Sequence, residues 1–217
     1  MLADQKELPA RARSGRPTRE QAEARQGELL DAALDHFLDK GYETATIEAI
    51  AAEVGMTKRT VYARYPEKAA LFRAAVHRAI ERYTITEERI QATDCGDLEQ
   101  TLHNIARLRI DLVASPQGLK LQRIINTESY RFPEIFNEVY ELGALPTIRF
   151  LAALLRRETE AGQLALTQSA MAANVFMTMV VSGPVRLIVS GNAPSEKEID
   201  ERIAFAVRLF LNGARSR

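Results

Sequence analysis

Residues 46–65 read TIEAIAAEVGMTKRTVYARY, and this stretch decides the fold. Ile47, Ile50, Ala51 and Val54 recur at helical spacing behind Thr46, whose hydroxyl suits a helix N-cap. Gly55 supplies a tight turn. Thr57 can cap a second short helix from Lys58 to Arg64, in which Val61 is the apolar position that packs back. Ala51 is small where the two helices must approach. Two short helices joined by a glycine turn have the physical logic of a helix-turn-helix, which presents the N-terminal half of its second helix to the DNA major groove. That half offers Lys58, Arg59 and Tyr62. Lysine and arginine donate to guanine O6 and N7, and tyrosine reaches a phosphate or packs on a thymine methyl.

The flanking sequence is helical as well. Thr18 with Gln21 has the pattern of a capping box, and Leu29, Leu30, Ala33, Leu34, Phe37 and Leu38 form one stripe that ends at Gly41. After Pro66 a long helix is expected from Glu67 to Ile90, with Leu71, Phe72, Ala75, Val76 and Ala79 on its inner face. Further helices are expected over 97–114 and 115–130. A segment over 133–162 is interrupted at Pro146, and one over 167–189 is bent by Gly183-Pro184. A last helix begins at Pro194-Ser195, with the stripe Ile199, Ile203, Ala206, Val207, Phe210 and Leu211. No period-two strand pattern is sustained, so the chain reads as all-α with about nine helices.

Composition narrows the function. The 217 residues carry 29 Lys+Arg and 29 Asp+Glu, a formal net charge of zero, and 46% are hydrophobic. Wholesale disorder and binding by bulk positive charge are both disfavoured. Placement matters more than the total. Residues 47–78 hold six basic and three acidic side chains, and residues 1–19 hold five and two, with an acidic first helix between them. The arm carries Arg13 and Arg16, followed by Arg19 at its end, where a minor-groove contact would need them. The single cysteine, Cys95, fits a reducing, cytoplasmic compartment, and the N-terminal residues lack the apolar core of a secretory signal. The apolar run from Met171 to Ser190 includes Asn174 and Arg186, so a helix of a soluble protein is expected in place of a membrane span. His36, His77 and His103 have no zinc-motif spacing. Neither a nucleophile elbow nor a phosphate-binding glycine loop is present. No enzyme activity, metal or cofactor is therefore expected. An all-helical protein-interaction module, with its arginines serving solubility, is the alternative to a DNA-binding protein.

A more specific pattern runs from Leu29 to Phe72: Ala32-Ala33, Phe37, Gly41-Tyr42, Thr44, Thr46, Ile50-Ala51, Val54-Gly55, Thr60-Val61-Tyr62, Tyr65, Lys68 and Leu71-Phe72. In this ordered combination the stretch resembles the DNA-binding domain of the TetR/AcrR family of bacterial transcriptional regulators. The segment from Glu128 to Pro133 is similar to AefR-type C-terminal regions. The resemblance implies a homodimer with two DNA-binding heads, bound to a double-stranded operator and released by a small-molecule effector, most often as a repressor. It implies a flexible basic arm over 1–18, a helix-turn-helix domain over 19–66 and an effector-binding and dimerisation domain over 67–217. By position, Tyr62 and Lys68 resemble phosphate-contacting residues, and Thr57 and Thr60 resemble backbone-contacting hydroxyls. Tyr65 matches the aromatic that locks the recognition helix. Arg59 stands where the family often has a small residue, and Arg64 where it commonly has histidine. The candidate DNA-binding set is thus Arg13, Arg16, Arg19, Thr46, Thr57, Lys58, Arg59, Thr60, Tyr62, Arg64 and Lys68.

The resemblance places dimerisation on the last two helices, where Val175, Met179 and Leu187, with Ile199, Ile203, Val207 and Phe210, offer apolar surface. Packing of these residues inside their own subunit is the alternative. A largely apolar effector would sit between helices, with Phe132, Phe136, Tyr140, Phe150, Phe176 and Met177 as candidate liners. Arg109, Arg131, Asn174 and Arg186 are the candidate polar anchors. Arg186 stands in a largely apolar helix, where it can pair with Glu128 or Glu141, meet an acidic ligand, or reach out to solvent.

Overall fold

The computed structural model describes residues 18–215, all of whose regular structure is helical apart from one isolated bridge between Leu164 and Arg215. Thr18 and Gln21 form the expected capping box at the start of α1, Arg19–Thr44. Gly41 breaks the regular helix where the stripe ends, at a φ of 78° that a side chain would resist, and a short helical turn continues past the kink to Thr44. Next come α2, Ile47–Glu53, capped by Thr46, and α3, Lys58–Arg64, capped by Thr57. Gly55 takes a φ of 62° in the turn between them.

Beyond Pro66 the chain departs from the expected single helix to Ile90. It forms α4, Lys68–Tyr83, and a separate short α5, Glu87–Gln91. Thr84 ends α4 because its hydroxyl takes the carbonyls of Ile80 and Glu81, at 3.1 and 2.7 Å, in place of the helix ladder. Thr86 then caps α5. After α6, Leu98–Ala114, and α7, Pro116–Glu128, comes α8, Pro133–Glu138. A π-helical turn over Val139–Ala144 leads directly into α9, Leu145–Glu160. The expected interruption at Pro146 is this π-helical turn: the α-helical ladder is broken just ahead of the proline, which sits in the first turn of α9, where its missing N–H is harmless. Next, α10, Ser169–Val189, runs through Pro184 without a break, and α11, Glu196–Ala214, closes the chain behind a Ser195/Glu198 capping box.

Two apolar cores organise these helices. The first joins α1–α4 and is completed by Leu121, Ile124, Phe132 and Ile135 from α7 and the start of α8. At its centre Phe37, Tyr42, Phe72 and Phe132 pack with ring centroids 4.8–5.8 Å apart, pairs each contributing about 0.5–1.5 kcal/mol beyond area burial. The second core packs α6, α9, α10 and α11 around Leu102, Leu151, Phe176 and Ile203. Arg107 pins α6 to the start of α11 through Asp111, Glu196 and Asp200. By length and composition α10 could cross a membrane. In the fold its Phe176, Met177 and Val180 belong to this second core.

The α6–α7 corner is closely built. Ser115 Oγ accepts the Gly118 N–H at 3.1 Å, and a Cβ at Gly118 would overlap the backbone carbonyl oxygens of Leu112 and Val113. Backbone atoms yield poorly, so Gly118→Ala is expected to destabilise by about 1–3 kcal/mol. Gly213→Ala, in the last turn of α11 with open space around it, should stabilise by up to about 0.5 kcal/mol. Thermal denaturation of both variants checks the pair; equal shifts would show that the corner is not tight.

Candidate nucleic-acid interface and effector cavity

The second helix of the helix-turn-helix is held from beneath. Val61 and Tyr65 are buried in the first core, and Gln26 Nε2 of α1 donates to the Tyr65 hydroxyl at 3.0 Å. With that face fixed, Lys58, Arg59, Tyr62 and Arg64 all face solvent on the other. Thr57 Oγ1 lies 2.8 Å from Thr60 Oγ1 and accepts the Thr60 N–H, so both hydroxyls sit at the exposed start of α3. Thr46 similarly spends its hydroxyl on the Ala49 N–H while staying exposed.

The cations of this region divide into engaged and unengaged groups, a division that residue counts do not show. Lys58 is paired with Glu48 of α2 and lies 5.4 Å from the Tyr62 ring centroid. That hydrogen bond holds the Glu48 carboxyl below, and the Lys58 ammonium above, their ordinary ranges. Lys68 Nζ donates to the carbonyls of Glu43 and Ala45, at 2.9 and 3.2 Å, and lies over Tyr42. It thereby closes the kinked end of α1, with one N–H left over. Arg73 pairs with Glu67 on its own segment, while Arg78 reaches Asp31 of α1, so neither adds to the groove-facing charge. Arg19 pairs with Glu23. No ion pair engages Arg59 or Arg64 among the described residues. Arg13 and Arg16 lie outside them.

Behind the head, a cavity of about 70 Å³ is lined by Ile80 and Tyr83 of α4, Arg109 of α6, Leu121 of α7 and Gly143 of the π-helical turn. It shares Arg109, Val113, Gln122 and Val139 with a wider one of about 580 Å³, whose far wall is α10 from Val181 to Ser190. Separately, an open groove of about 490 Å³ runs between α10 and α11, past Met179, Phe205 and Leu209.

Comparison with known proteins matches this geometry. Residues 29–75 match the family of bacterial regulatory proteins of the tetR type, and residues 100–213 match the C-terminal domain of the AefR-like transcriptional repressors. The chain belongs to the TetR family. Among its relatives is the nucleoid occlusion factor SlmA of Pasteurella multocida, 25% identical over 152 residues, which are 68% of this chain and 74% of that protein. The flavonoid-responsive regulator FrrA is 29% identical with a TM-score of 0.72, over 90% of this chain and 99% of that one. A TetR-family structure from Mesorhizobium loti shares the fold, with a TM-score of 0.73 at 24% identity, covering 92% of this chain and all of the other. TetR-family proteins are DNA-binding regulators and not enzymes; they occupy operators as homodimers and respond to small-molecule effectors.

Within this TetR-family fold, the expected effector residues scatter. Only Arg109 and Arg186 border the connected cavities. Phe132 sits in the aromatic centre of the head, and Arg131 caps that centre, its guanidinium 4.5 Å from the Tyr42 ring centroid and paired with Glu43. Phe176 and Met177 are core residues of the second cluster. Phe136 and Tyr140 are exposed on either side of cavity-lining Val139. Phe150 faces a different groove, beside Ile85, Ile90 and Pro146. Asn174 is half-buried, outside both cavities. Arg186 is exposed at the wall of the wider cavity and pairs with neither Glu128 nor Glu141.

The expected dimerisation residues divide in the same way. Ile199, Ile203 and Val207 are buried in their own subunit, and Phe210 packs on Phe176. Met179 and Leu187 are half-buried, and Val175 is exposed. The apolar surface left uncovered on α11 is instead Phe205 and Leu209, at 62% and 55% exposure. Their i, i+4 spacing on the side opposite the core stripe was visible in the sequence and went unread.

Two of the three histidines have acidic partners: His36 meets Glu53 at 2.6 Å, and His77 of α4 meets Glu138 of α8 and, at 3.3 Å, Glu81. The hydrogen bond to Glu138, aided by the charges of Glu138 and Glu81 and opposed by burial, raises the His77 imidazole above its ordinary 6.5. A raised folded-state value stabilises fully below the unfolded value, and the contribution is lost as pH climbs through the folded one. Replacing Glu138 with Gln should therefore destabilise at pH 6 and matter progressively less above neutrality. Paired denaturation curves from pH 5.5 to 8.5 check this; a pH-independent difference would sink it.

Proposed function

We propose that α3 of each subunit enters the major groove, and that the protein acts as a repressor whose operator affinity is lowered by a small, largely apolar effector in the cavity beside α4. Residues 1–18 serve as the arm, 19–66 as the head and 67–217 as the effector and dimerisation unit. The observation that carries the reading is the exposed face of Lys58, Arg59, Tyr62 and Arg64 on a helix whose opposite face is anchored by Val61 and Tyr65. Arg59 and Lys58 read base edges. Thr46, Thr57, Thr60 and Tyr62 meet phosphates, as does Lys68 with its remaining N–H; Arg64 and the arm arginines, Arg13 and Arg16, with Arg19 behind them, supply backbone attraction. The name of FrrA, a flavonoid-responsive regulator, supports an organic effector of modest size. Two subunits associate by their α10–α11 faces, through Val175, Met179, Phe205 and Leu209.

Coupling follows from α4. Its Leu71, Phe72 and Ala75 are embedded in the head, while Ile80 and Tyr83 line the cavity two turns later. An effector that fits a displaced α4 better than the resting one shifts the population of head positions and hence the fit to two half-sites.

Selection from a random DNA pool identifies the operator, and titrations on it test the assignments. Arg59→Ala should cost about 1–3 kcal/mol and relax preference at particular bases. A uniform loss on all sequences would assign Arg59 to the backbone. Glu48→Gln, which releases Lys58 and removes a negative charge beside α3, should tighten binding modestly. Weaker binding would mean that the Glu48 pair orders Lys58 for its contact. Phe205→Glu should shift sedimentation toward monomer at micromolar concentration; an unchanged dimer would move the interface off this face.

A further inference from the structure

Arginines 107 and 109 lie two residues apart on α6 and therefore project to opposite sides of it. Arg107 meets three carboxylates. Arg109 meets none. It is 8% exposed, the one charged side chain that is buried among the described residues. Its Nη1 donates to the Gly143 carbonyl of the π-helical turn at 2.8 Å, and its buried Nε has no partner. Burial pushes the guanidinium below its ordinary range. An arginine nevertheless stays protonated in proteins, so a positive charge stands at the cavity wall without a counter-ion. Among the described residues no aspartate or glutamate lines either cavity, and the second arginine there, Arg186, is exposed and adds charge of the same sign.

A buried, uncompensated charge is disfavoured unless something completes it. The vacant edge of Arg109, Nε–H with the neighbouring Nη2–H, has the parallel pair of donors that two carboxylate oxygens accept together. The surrounding surface, from Ile80, Leu112, Leu121 and Val139, is apolar. One buried guanidinium neutralises one negative charge, which matches a monoanion better than a phosphate ester. We infer that the effector is an apolar monocarboxylate whose carboxylate pairs with Arg109, its hydrocarbon or aromatic body filling the space toward α10. The π-helical turn helps to set this up. It directs the Gly143 carbonyl at Nη1 and so orients the free edge, in keeping with the frequent placement of such turns at functional sites.

This inference rests on the cavity being the effector site, and its test separates the two. Full-length protein is titrated calorimetrically with octanoate, decanoate, 4-phenylbutanoate and cinnamate, each beside its primary amide. The expected result is that at least one acid binds at least about tenfold tighter than its amide. Arg109→Gln, which keeps a polar amide but loses the charge and the paired donors, should abolish that preference while leaving the amide's affinity unchanged. Arg109→Met, near in volume and free of charge, should leave the ligand-free melting temperature equal to or above that of wild type. Amides binding as well as acids, acid preference surviving Arg109→Gln, no binding by any acid at millimolar concentration, or a marked loss of stability in Arg109→Met would each overturn the proposal. The same acids are then added to the operator complex. Arg109-dependent binding that leaves DNA affinity untouched would uphold the anion site and sink the effector reading. Release by a neutral compound alone would do the reverse.

Discussion

The packing of Phe132 against Phe72 and Tyr42 joins the two halves of this molecule. Phe72 belongs to α4, Tyr42 follows the kink of α1, and Phe132 arrives from sixty residues further on, just ahead of α8. Because all three rings are buried in one cluster, the head cannot tilt relative to α7 and α8 without opening apolar surface to water. Arg131 and Lys68 close the cluster from outside, both over the Tyr42 ring: Arg131 is paired with Glu43, and Lys68 donates to two backbone carbonyls. A regulator that must move its DNA-binding heads needs such a joint to be either shut or displaced as a unit, since packed cores have discrete arrangements and do not deform continuously.

Charge follows the same economy of placement. The chain is neutral, yet its cations fall into two populations. Arg78, Arg82 and Arg107 are committed to acids that pin one helix to another, and Arg73 to Glu67 on its own segment. Arg59 and Arg64 are left outward beside Lys58, on a helix whose acidic neighbour Glu48 already restrains one of them. Exposed pairs of this kind contribute little stability. Arg109 belongs to neither population: it is buried and unpaired, and its environment points inward to a ligand.

The π-helical turn connects these themes. It lies between α8, which carries His77's partner Glu138, and α9, which is built into the second core. On one side it presents Val139 and Gly143 to the cavity, and on the other it continues the chain that holds Phe132 in the head. A ligand at Arg109 therefore touches the segment that spans both cores as well as α4 itself.

By itself the sequence determined the all-α class, the caps at Thr18, Thr46, Thr57 and Ser195, the glycine turn at Gly55 and the apolar stripes of α1, α4 and α11. These are local: a hydroxyl, a missing Cβ or a repeat of three and four residues acts within one or two turns of helix. The family pattern from Leu29 to Phe72 added the DNA-binding head. A local signal also misled where a nonlocal balance decided, at Thr84, which ends α4 early. Only the tertiary structure decided which aromatic residues are core and which face space. Phe132 and Phe176 have the same composition signature as a pocket liner, and burial against partners distant in sequence is what distinguishes them. The same holds for the arginines. Arg107 and Arg109 are neighbours in the chain, but one meets three acids from α6 and α11 and the other meets none, because a helix turns about 100° per residue and the fold puts different surroundings on its two sides.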